Sequence, residues 1–561
     1  MDAAPGVHQI CDRFVDEYAA ADPVMATLFG LAGHEDRLTD YSAAGHGVRV
    51  GIARKALRAM LATEPMTDSE RVAKAVFCER IGVEIETQEA GLRLASLNVI
   101  ASPVQDIRMV FDLMATGTGA EWAVIAARLG QVPEALLGVR ASLLVAADSG
   151  RISARRQIDK TAEQAETWAG CRGDVGFFTA LIAGARGVAD APLDELERAA
   201  HAAESAYAEF AGFLRAELAP RAPVLDAVGE NTYRLWSRYF TGADVDLREA
   251  YAWGWREFSG IEAEMRAVAA RIAPGATLVE TAAVLDADPK YRLHGVAVFE
   301  AWLQRTSDAA LKALRGTHFD IPDEIARLEC KIAPPGGGVG AYYLGPSEDF
   351  RRPGRMWWSL EPGKEQFTTW REVSVVYHEG VPGHHLQVAT AVLAADTLNR
   401  YQRMLSFVDG HGEGWALYAE RLMHELGYLS DDGNLFGMLC EQLLRAARVI
   451  VDIGMHLELE IPAGTGFHEG ERWTPDLGLE FLLTRTLTEP ARARFEIDRY
   501  LGWPGQAPAY KLGERGWLAA RDEARARAGE SFSLKAFHTR ALRMGGMGLD
   551  TLRAQLADRE G

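Results

Sequence analysis

The sequence predicts a mainly α-helical protein with one small β-sheet, and three observations predict it. Apolar residues recur at three and four spacing over residues 190–218, 246–272 and 434–460, which is the period of an amphipathic helix. Proline and glycine punctuate the intervals between such stretches, as at Pro103, Pro133, Pro192 and Pro274. Residues 330–362 break the pattern, with Pro and Gly clusters around short aromatic or β-branched runs. Strands are expected there near 331–333, 340–344 and 355–360, and helix is expected to resume near Lys364.

With 561 residues the chain can bury a large core, and 48% hydrophobic and 25% charged residues is ordinary globular composition. No internal repeat, low-complexity tract or clear linker divides it. A loose division is an N-terminal helical region over 1–220 and a second helical region over 221–561 containing the β element at 330–360, the two packing as lobes of one integrated unit. The net charge of −19 and pI near 5.3 repel phosphate backbones, so nucleic acid is not an expected partner. Five widely spaced cysteines without a CxxC pair argue against a cysteine zinc site and for reduced thiols in a reducing compartment. The N-terminus has no basic start followed by an apolar run, and no stretch approaches 18 uninterrupted apolar residues. The expectation is a cytoplasmic protein without a membrane partner. The oligomeric state is left open, a homodimer included.

The histidines carry the first chemical signal. Of 14 in the chain, six (His378, His384, His385, His411, His424 and His456) fall between 378 and 456, where an even spread would put about two. Clustered imidazoles and carboxylates are what a metal or acid–base site needs. The first segment reads His378-Glu379-Gly380-Val381-Pro382-Gly383-His384-His385. The HExxH zinc helix places two histidines four apart on one face, with the Glu aimed at the metal site. Here Pro382 stands at that fourth position. In a straight helix His384 would lie about 240° round from His378, and His385 would return to its face but about 10 Å along the axis. Pro382 removes a backbone donor and Gly383 tolerates unusual torsions. A two-residue bulge would bring His384 back into register, which favours it over His385 while leaving both open.

The second segment, Asp409-Gly410-His411-Gly412-Glu413-Gly414-Trp415, places Glu413 35 residues after His378 (413 − 378). A Glu on a second helix is a common third zinc ligand. If helix starts near Glu413, then Glu413, Leu417, Glu420 and His424 share a face, making Glu420 and His424 candidates to hold ligand rings in place. His411 is a rival ligand. Each of these residues also has an ordinary reading, as a hydrogen-bonded core histidine or a helix-start carboxylate.

HEGVPGHHLQ followed by HGEGWALYAERL resembles a large bacterial family of mostly uncharacterised proteins. That family is itself similar to helical zinc carboxypeptidases of the carboxypeptidase Taq type and, more distantly, to thimet-type oligopeptidases. The resemblance implies a bilobed, zincin-like helical metallopeptidase fold with its small β-sheet near the active site. It implies zinc, with His378, His384 and Glu413 as ligands and Glu379 as the base. Apart from the resemblance, His385, His411, Glu420, His424 and Asp452 are candidates to support these ligands from around the site. The segment Pro504-Gly505-Gln506-Ala507-Pro508-Ala509-Tyr510-Lys511-Leu512-Gly513 resembles the PGQAxxYKxG stretch of the same family, and a late tyrosine in helical zinc peptidases donates to the oxyanion; Tyr510 is the candidate.

Arg445, Arg448, Asp452 and His456 follow at three and four spacing and can share a helical face. An arginine there suits a peptide carboxylate and His456 could assist the oxyanion, although a structural ion-pair network fits equally. Tyr342 and Tyr343, in the β element, would meet substrate backbone at a sheet edge, or else pack.

The expected chemistry is hydrolysis of short peptides. A metal lowers the pKa of its water, and Glu379 takes the proton and passes it to the leaving amine. A carboxypeptidase is the favoured form. Two other readings are a metal-dependent hydrolase of a non-peptide amide or ester, and a non-catalytic helical binding protein, which Pro382 favours. Zinc suits two His and one Glu with an open position best, with manganese or cobalt as alternatives. No GxSxG is present, and Gly336-Gly337-Gly338 lacks the P-loop lysine.

Overall fold

Helices start where local side chains satisfy the free backbone donors of the first turn. Gly119–Leu129 (α1) begins at Thr118, whose hydroxyl accepts from the Glu121 N–H at 3.3 Å while the Glu121 carboxylate accepts from the Thr118 N–H at 2.8 Å. Val132–Asp148 (α2) follows, with Pro133 in its first turn, where a missing N–H costs nothing. The computed structural model describes residues 5–333, 340–361 and 363–557. The glycines 336–338 lie outside the described residues. The chain divides into two compact units, one running to Ala227 and including Leu501–Trp503, the other comprising Val228–Tyr500 and Pro504 onward.

The first unit is helical. The stretch Gly119–Asp148 is long and apolar enough to cross a membrane by length and composition, although charged residues interrupt its apolar run. In the structure it is broken into α1 and α2, and Trp122, Ile125, Leu129, Leu136, Val139 and Leu143 from it pack in the unit's core. Leu193–Phe213 (α3) buries Leu196, Ala199, Ala203, Tyr207 and Phe210 at three and four spacing against the same core, as its apolar period predicts.

The second unit is built round two long helices, Leu247–Ile272 (α4) and Asp432–His456 (α9). Nearly every residue of α9 is buried, so it is a central helix covered on all sides. Gly254 lets α4 approach it closely: a side chain there would press on Val449 and Ile450. Between them in sequence lie Val296–Leu314 (α5) and five short strands: β1 (Arg292–His294), β2 (Leu328–Ile332), β3 (Gly340–Leu344), β4 (Gly354–Ser359) and β5 (Gln366–Thr368). β4 is central in a three-stranded sheet, parallel to β2 and antiparallel to β3, with Tyr343 opposite Met356. Phe299 and Leu303 of α5 pack with Cys330, Met356 and Trp358 of that sheet. Helix does not resume at Lys364. Gln366–Thr368 pairs antiparallel with Arg292–His294, a partner far away in sequence, and helix returns only at Glu372.

Five further helices frame the candidate site: Glu372–Glu379 (α6), His384–Leu393 (α7), Asp409–Glu425 (α8), Pro490–Gly502 (α10) and Gln506–Ala528 (α11). α8 and α11 cross at glycines. A side chain on Gly414 would overlap the backbone of Gly513, and one on Gly513 would overlap the carbonyl oxygen of Gly410. The glycines of the HGEGW and YKLG segments therefore serve one close crossing, which brings the Tyr510 turn beside the Glu413 turn.

Candidate metal centre

The HEGVPGHH segment does not form a bulged helix; it forms two helices. α6 ends at Glu379 because Gly380 leaves the helical region, with φ −99° and ψ −123°. The Val381–Pro382 peptide bond is cis. The chain turns back, and the Gly383 N–H donates to the Tyr377 carbonyl at 3.0 Å. Any side chain at Gly383 would overlap the carbonyl oxygens of His378 and Tyr377, so the return needs glycine there. α7 then starts at His384 itself. The loop carbonyls are met from α8, where the Trp415 indole N–H donates to Pro382 at 2.8 Å and to Gly383 at 3.2 Å. Tryptophan in GEGW thus satisfies backbone that the Pro–Gly break leaves exposed.

This turn brings His384 back to His378, their ring centroids 4.8 Å apart and nearly perpendicular. Glu413, in the second turn of α8, completes the group: its Oε2 lies 3.3 Å from Nε2 of each histidine. One ligand atom from each residue falls within 4.8 Å of the other two. Two atoms bound to one tetrahedral zinc at roughly 2.0–2.1 Å lie about 3.3 Å apart. The same separation is long for a charge-assisted hydrogen bond, and Glu413 Oε2 has no partner with acceptable hydrogen-bond geometry. The three atoms therefore face a common point more than they face one another, and the donor set fits a divalent ion.

The charge of the site is compatible with a cation. Three carboxylates, Glu379, Glu413 and Glu420, converge on two imidazoles in a buried site. Burial disfavours a charged His378, but Glu413 and Glu420 outweigh it and push its pKa up to about 10. Burial raises Glu379 above the usual carboxylate range, against the pull of His378 and His384. Burial also opposes ionisation of Glu413, yet the two histidines hold it well below that range. Such a cluster needs positive charge among its carboxylates, from a proton or a cation.

Of the supporting residues read from the sequence, Glu420 reaches the cluster: its Oε1 lies 2.8 Å from Nδ1 of His378. His385 turns away, with Nε2 2.7 Å from the Ile325 carbonyl and Nδ1 3.0 Å from the Tyr343 hydroxyl. Both its nitrogens are engaged, so it is not an alternative to His384. His411 packs its ring against Trp517 and faces Gln387 through Nδ1; burial lowers its pKa to about 4. His424 lies one helical turn beyond Glu420, its Nδ1 buried without a hydrogen-bond partner among the described residues.

The α9 residues do not form the single network their spacing suggested. Arg448 makes a two-pronged bond with Glu496 of α10, at 3.1 and 2.9 Å, and its guanidinium lies over the Tyr510 ring. Arg445 pairs with Glu441. Asp452 instead accepts from the Tyr233 hydroxyl and from the Gly505 N–H at 2.9 Å, and burial pushes its pKa up to about 7. His456 is placed away from the cluster: Nε2 meets the Tyr500 carbonyl at 2.9 Å, Nδ1 the Val228 N–H at 3.4 Å. It ties backbone segments together and is not positioned as an oxyanion donor.

Tyr510 does face the cluster, its ring parallel to that of His378 with centroids 6.5 Å apart. Burial, with Glu413 nearby, raises its phenol pKa. Tyr343 stacks on His384 at 6.4 Å, whereas Tyr342 projects to the opposite face of the strand and stacks on Trp357. Residues that the sequence reading left unassigned also contribute. Ser374 donates to Glu420 at 2.7 Å, and its position one turn before His378 on the same face was the available signal. Glu496, Arg499 and Gln506 form the buried setting of Tyr510; Arg499 donates to Gln506 at 2.6 Å. Phe407 lies beside His384, and no motif marked it.

Solved structures share the fold. A "putative lipoprotein" from Colwellia psychrerythraea superposes with a TM-score of 0.83 at 20% identity, covering 98% of each chain. A "putative lipoprotein of unknown function" from Shewanella oneidensis gives 0.73 at 16% identity, over 99% of this chain and 100% of the other. A "putative oligoendopeptidase F" from Bacillus anthracis gives only 0.34 at 11% identity over 91% and 92%, too low to indicate a common fold. No curated protein matches the chain. A family model described as "Bacterial protein of unknown function (DUF885)" matches residues 23–556, and the chain belongs to that family.

Proposed function

We propose that this protein is a metal-dependent hydrolase of peptide bonds, with zinc as the resident ion. The observation that carries the reading is the convergence of His378 Nε2, His384 Nε2 and Glu413 Oε2, with 3.3 Å from the carboxylate oxygen to each nitrogen. The resemblance of the family that carries HEGVPGHH and GEGW to the helical zinc carboxypeptidases, which have HExxH in place of the first motif, adds to it. A zinc ion bound there supplies Lewis acidity, acidifying water and polarising a carbonyl.

The chain's own residues do the rest. Glu379, beside His378 and buried, accepts the proton of the attacking water and returns it to the departing amine. Glu420 fixes the His378 ring through Nδ1 and so leaves Nε2 free for the ion. Tyr510 donates its hydroxyl to the oxyanion, its orientation held by Arg448 above the ring and Arg499 beside it. Arg448 Nη1 and Arg445 Nε are buried without hydrogen-bond partners among the described residues, and a peptide's terminal carboxylate suits them, which favours a carboxypeptidase.

The test is hydrolysis of short peptides by the zinc-supplied protein, followed by mass spectrometry, with each peptide offered as the free acid and as the amide. Cleavage that needs zinc and disappears in Glu379→Gln supports the reading, and loss on amidation supports the carboxypeptidase form. Turnover only of non-peptide esters or amides would transfer the chemistry to another substrate class, and zinc binding without turnover would favour a binding protein. The cytoplasmic expectation rests on five free thiols, an N-terminus without a basic start and apolar run, and no long uninterrupted apolar stretch, while two structural neighbours bear the name lipoprotein; fractionation of native cells decides between cytoplasm and envelope.

A further inference from the structure

Among the described residues of the second unit, two aromatic side chains are exposed, Tyr342 at 40% and Phe407 at 46%. Tyr342 covers Trp357. Phe407 stands at the metal centre: its ring centroid is 6.4 Å from that of His384, the rings inclined by 58°. Its other neighbour is the first turn of α8. A side chain on Gly412 would overlap the Phe407 ring, so glycine one residue before Glu413 is what lets the ring sit against that turn. Phe407 therefore touches the elements carrying two of the three candidate ligands.

Its backbone is fixed on both sides. The Ser406 N–H donates to the Tyr401 carbonyl at 2.9 Å, and the Ser406 hydroxyl to the Gly546 carbonyl at 2.8 Å. After it, Val408 accepts from the Gly412 N–H at 2.8 Å. An apolar ring displayed to solvent on rigid backbone needs no reorganisation before it covers an apolar group. At about 3.3–3.6 Å of chain per residue, a ring this close to His384 is in reach of the residue next to the bond being cut and not of more distant ones.

We propose that Phe407 forms an apolar subsite that receives the hydrophobic side chain of the substrate residue flanking the scissile bond. The inference rests on the peptidase reading for the meaning of "scissile", but binding tests it separately. The probe set is an N-acetylated tetra-alanine peptide with a free terminal carboxylate and its single-Phe versions, one for each position, titrated calorimetrically into zinc-supplied Glu379→Gln protein. One position is expected to prefer Phe over Ala by about tenfold or more. Adding Phe407→Ala should reduce that preference to less than about threefold, and Phe407→Leu should restore most of it. Because Phe407 is exposed, the variant is expected to keep the parent melting temperature. Equal affinity for every peptide, no binding of any, or a preference that survives Phe407→Ala overturns the subsite. Metal content and wild-type hydrolysis are read separately. If both fail while the Phe407-dependent preference stands, the hydrolase reading falls and the subsite remains.

Discussion

Glu420 joins two helices through His378: one of its oxygens lies 2.8 Å from the imidazole Nδ1, and the other accepts the Ser374 hydroxyl at 2.7 Å. A buried carboxylate so placed fixes both the ring's orientation and which nitrogen carries the proton. Glu420→Gln keeps the shape and removes the charge. It is expected to weaken zinc binding by roughly 10–100-fold, measured by competition with a chromophoric chelator. Unchanged affinity would mean that Glu420 is only a structural partner.

Gly383→Ala tests the return of the chain between α6 and α7. The added methyl would overlap the carbonyl oxygens of His378 and Tyr377, so the turn must open and carry His384 away from His378. The expected result is zinc affinity reduced by at least about tenfold with helical circular dichroism retained. Wild-type zinc affinity in this variant would show that the turn does not set the histidine register.

Trp415→Phe removes the indole N–H that meets the Pro382 and Gly383 carbonyls and leaves them buried. The expected loss of stability is about 1–3 kcal/mol by urea denaturation. A loss under about 0.5 kcal/mol would place those carbonyls in contact with water.

Helices with sustained periodicity were readable from the sequence: the stretch 246–272 is Leu247–Ile272 in the structure. Gln366–Thr368 was not, because its strand partner lies more than 70 residues earlier and three residues carry no period of their own. The metal cluster was half readable. Helical-wheel arithmetic showed that His378 and His384 need a departure from regular helix, but its form depends on Trp415 from another helix, a contact that local sequence does not encode. Glu420 followed from helical spacing. His456 and Asp452 misled for the converse reason: four apart on one helix, they resemble a site, yet their partners Tyr500, Val228, Tyr233 and Gly505 come from elsewhere in the chain.

His538 supplies a test of pH dependence away from the metal cluster. It is buried, stacked on Phe319, with Nε2 2.8 Å from the Tyr418 hydroxyl. Burial, then Arg521 and His318, lower its pKa from 6.5 to about 3. A depressed folded-state pKa means that the neutral form stabilises the fold above pH 6.5 and that this contribution is lost as pH falls from 6.5 towards 3. Between pH 7 and 4.5 the wild type should lose on the order of 2 kcal/mol more than His538→Gln, measured by denaturation at each pH. Parallel losses in the two proteins would contradict a buried neutral His538.

The central claim is that His378, His384 and Glu413 hold one metal ion, and elemental analysis tests it most directly. The protein is purified without added metal and again after zinc is offered, as wild type and as His378→Ala, His384→Ala, His385→Ala and Glu413→Ala. About one zinc per chain is expected in the wild type and in His385→Ala, and little in the other three. No stoichiometric metal in the wild type even after zinc is offered, or loss in His385→Ala with retention in His384→Ala, would contradict it.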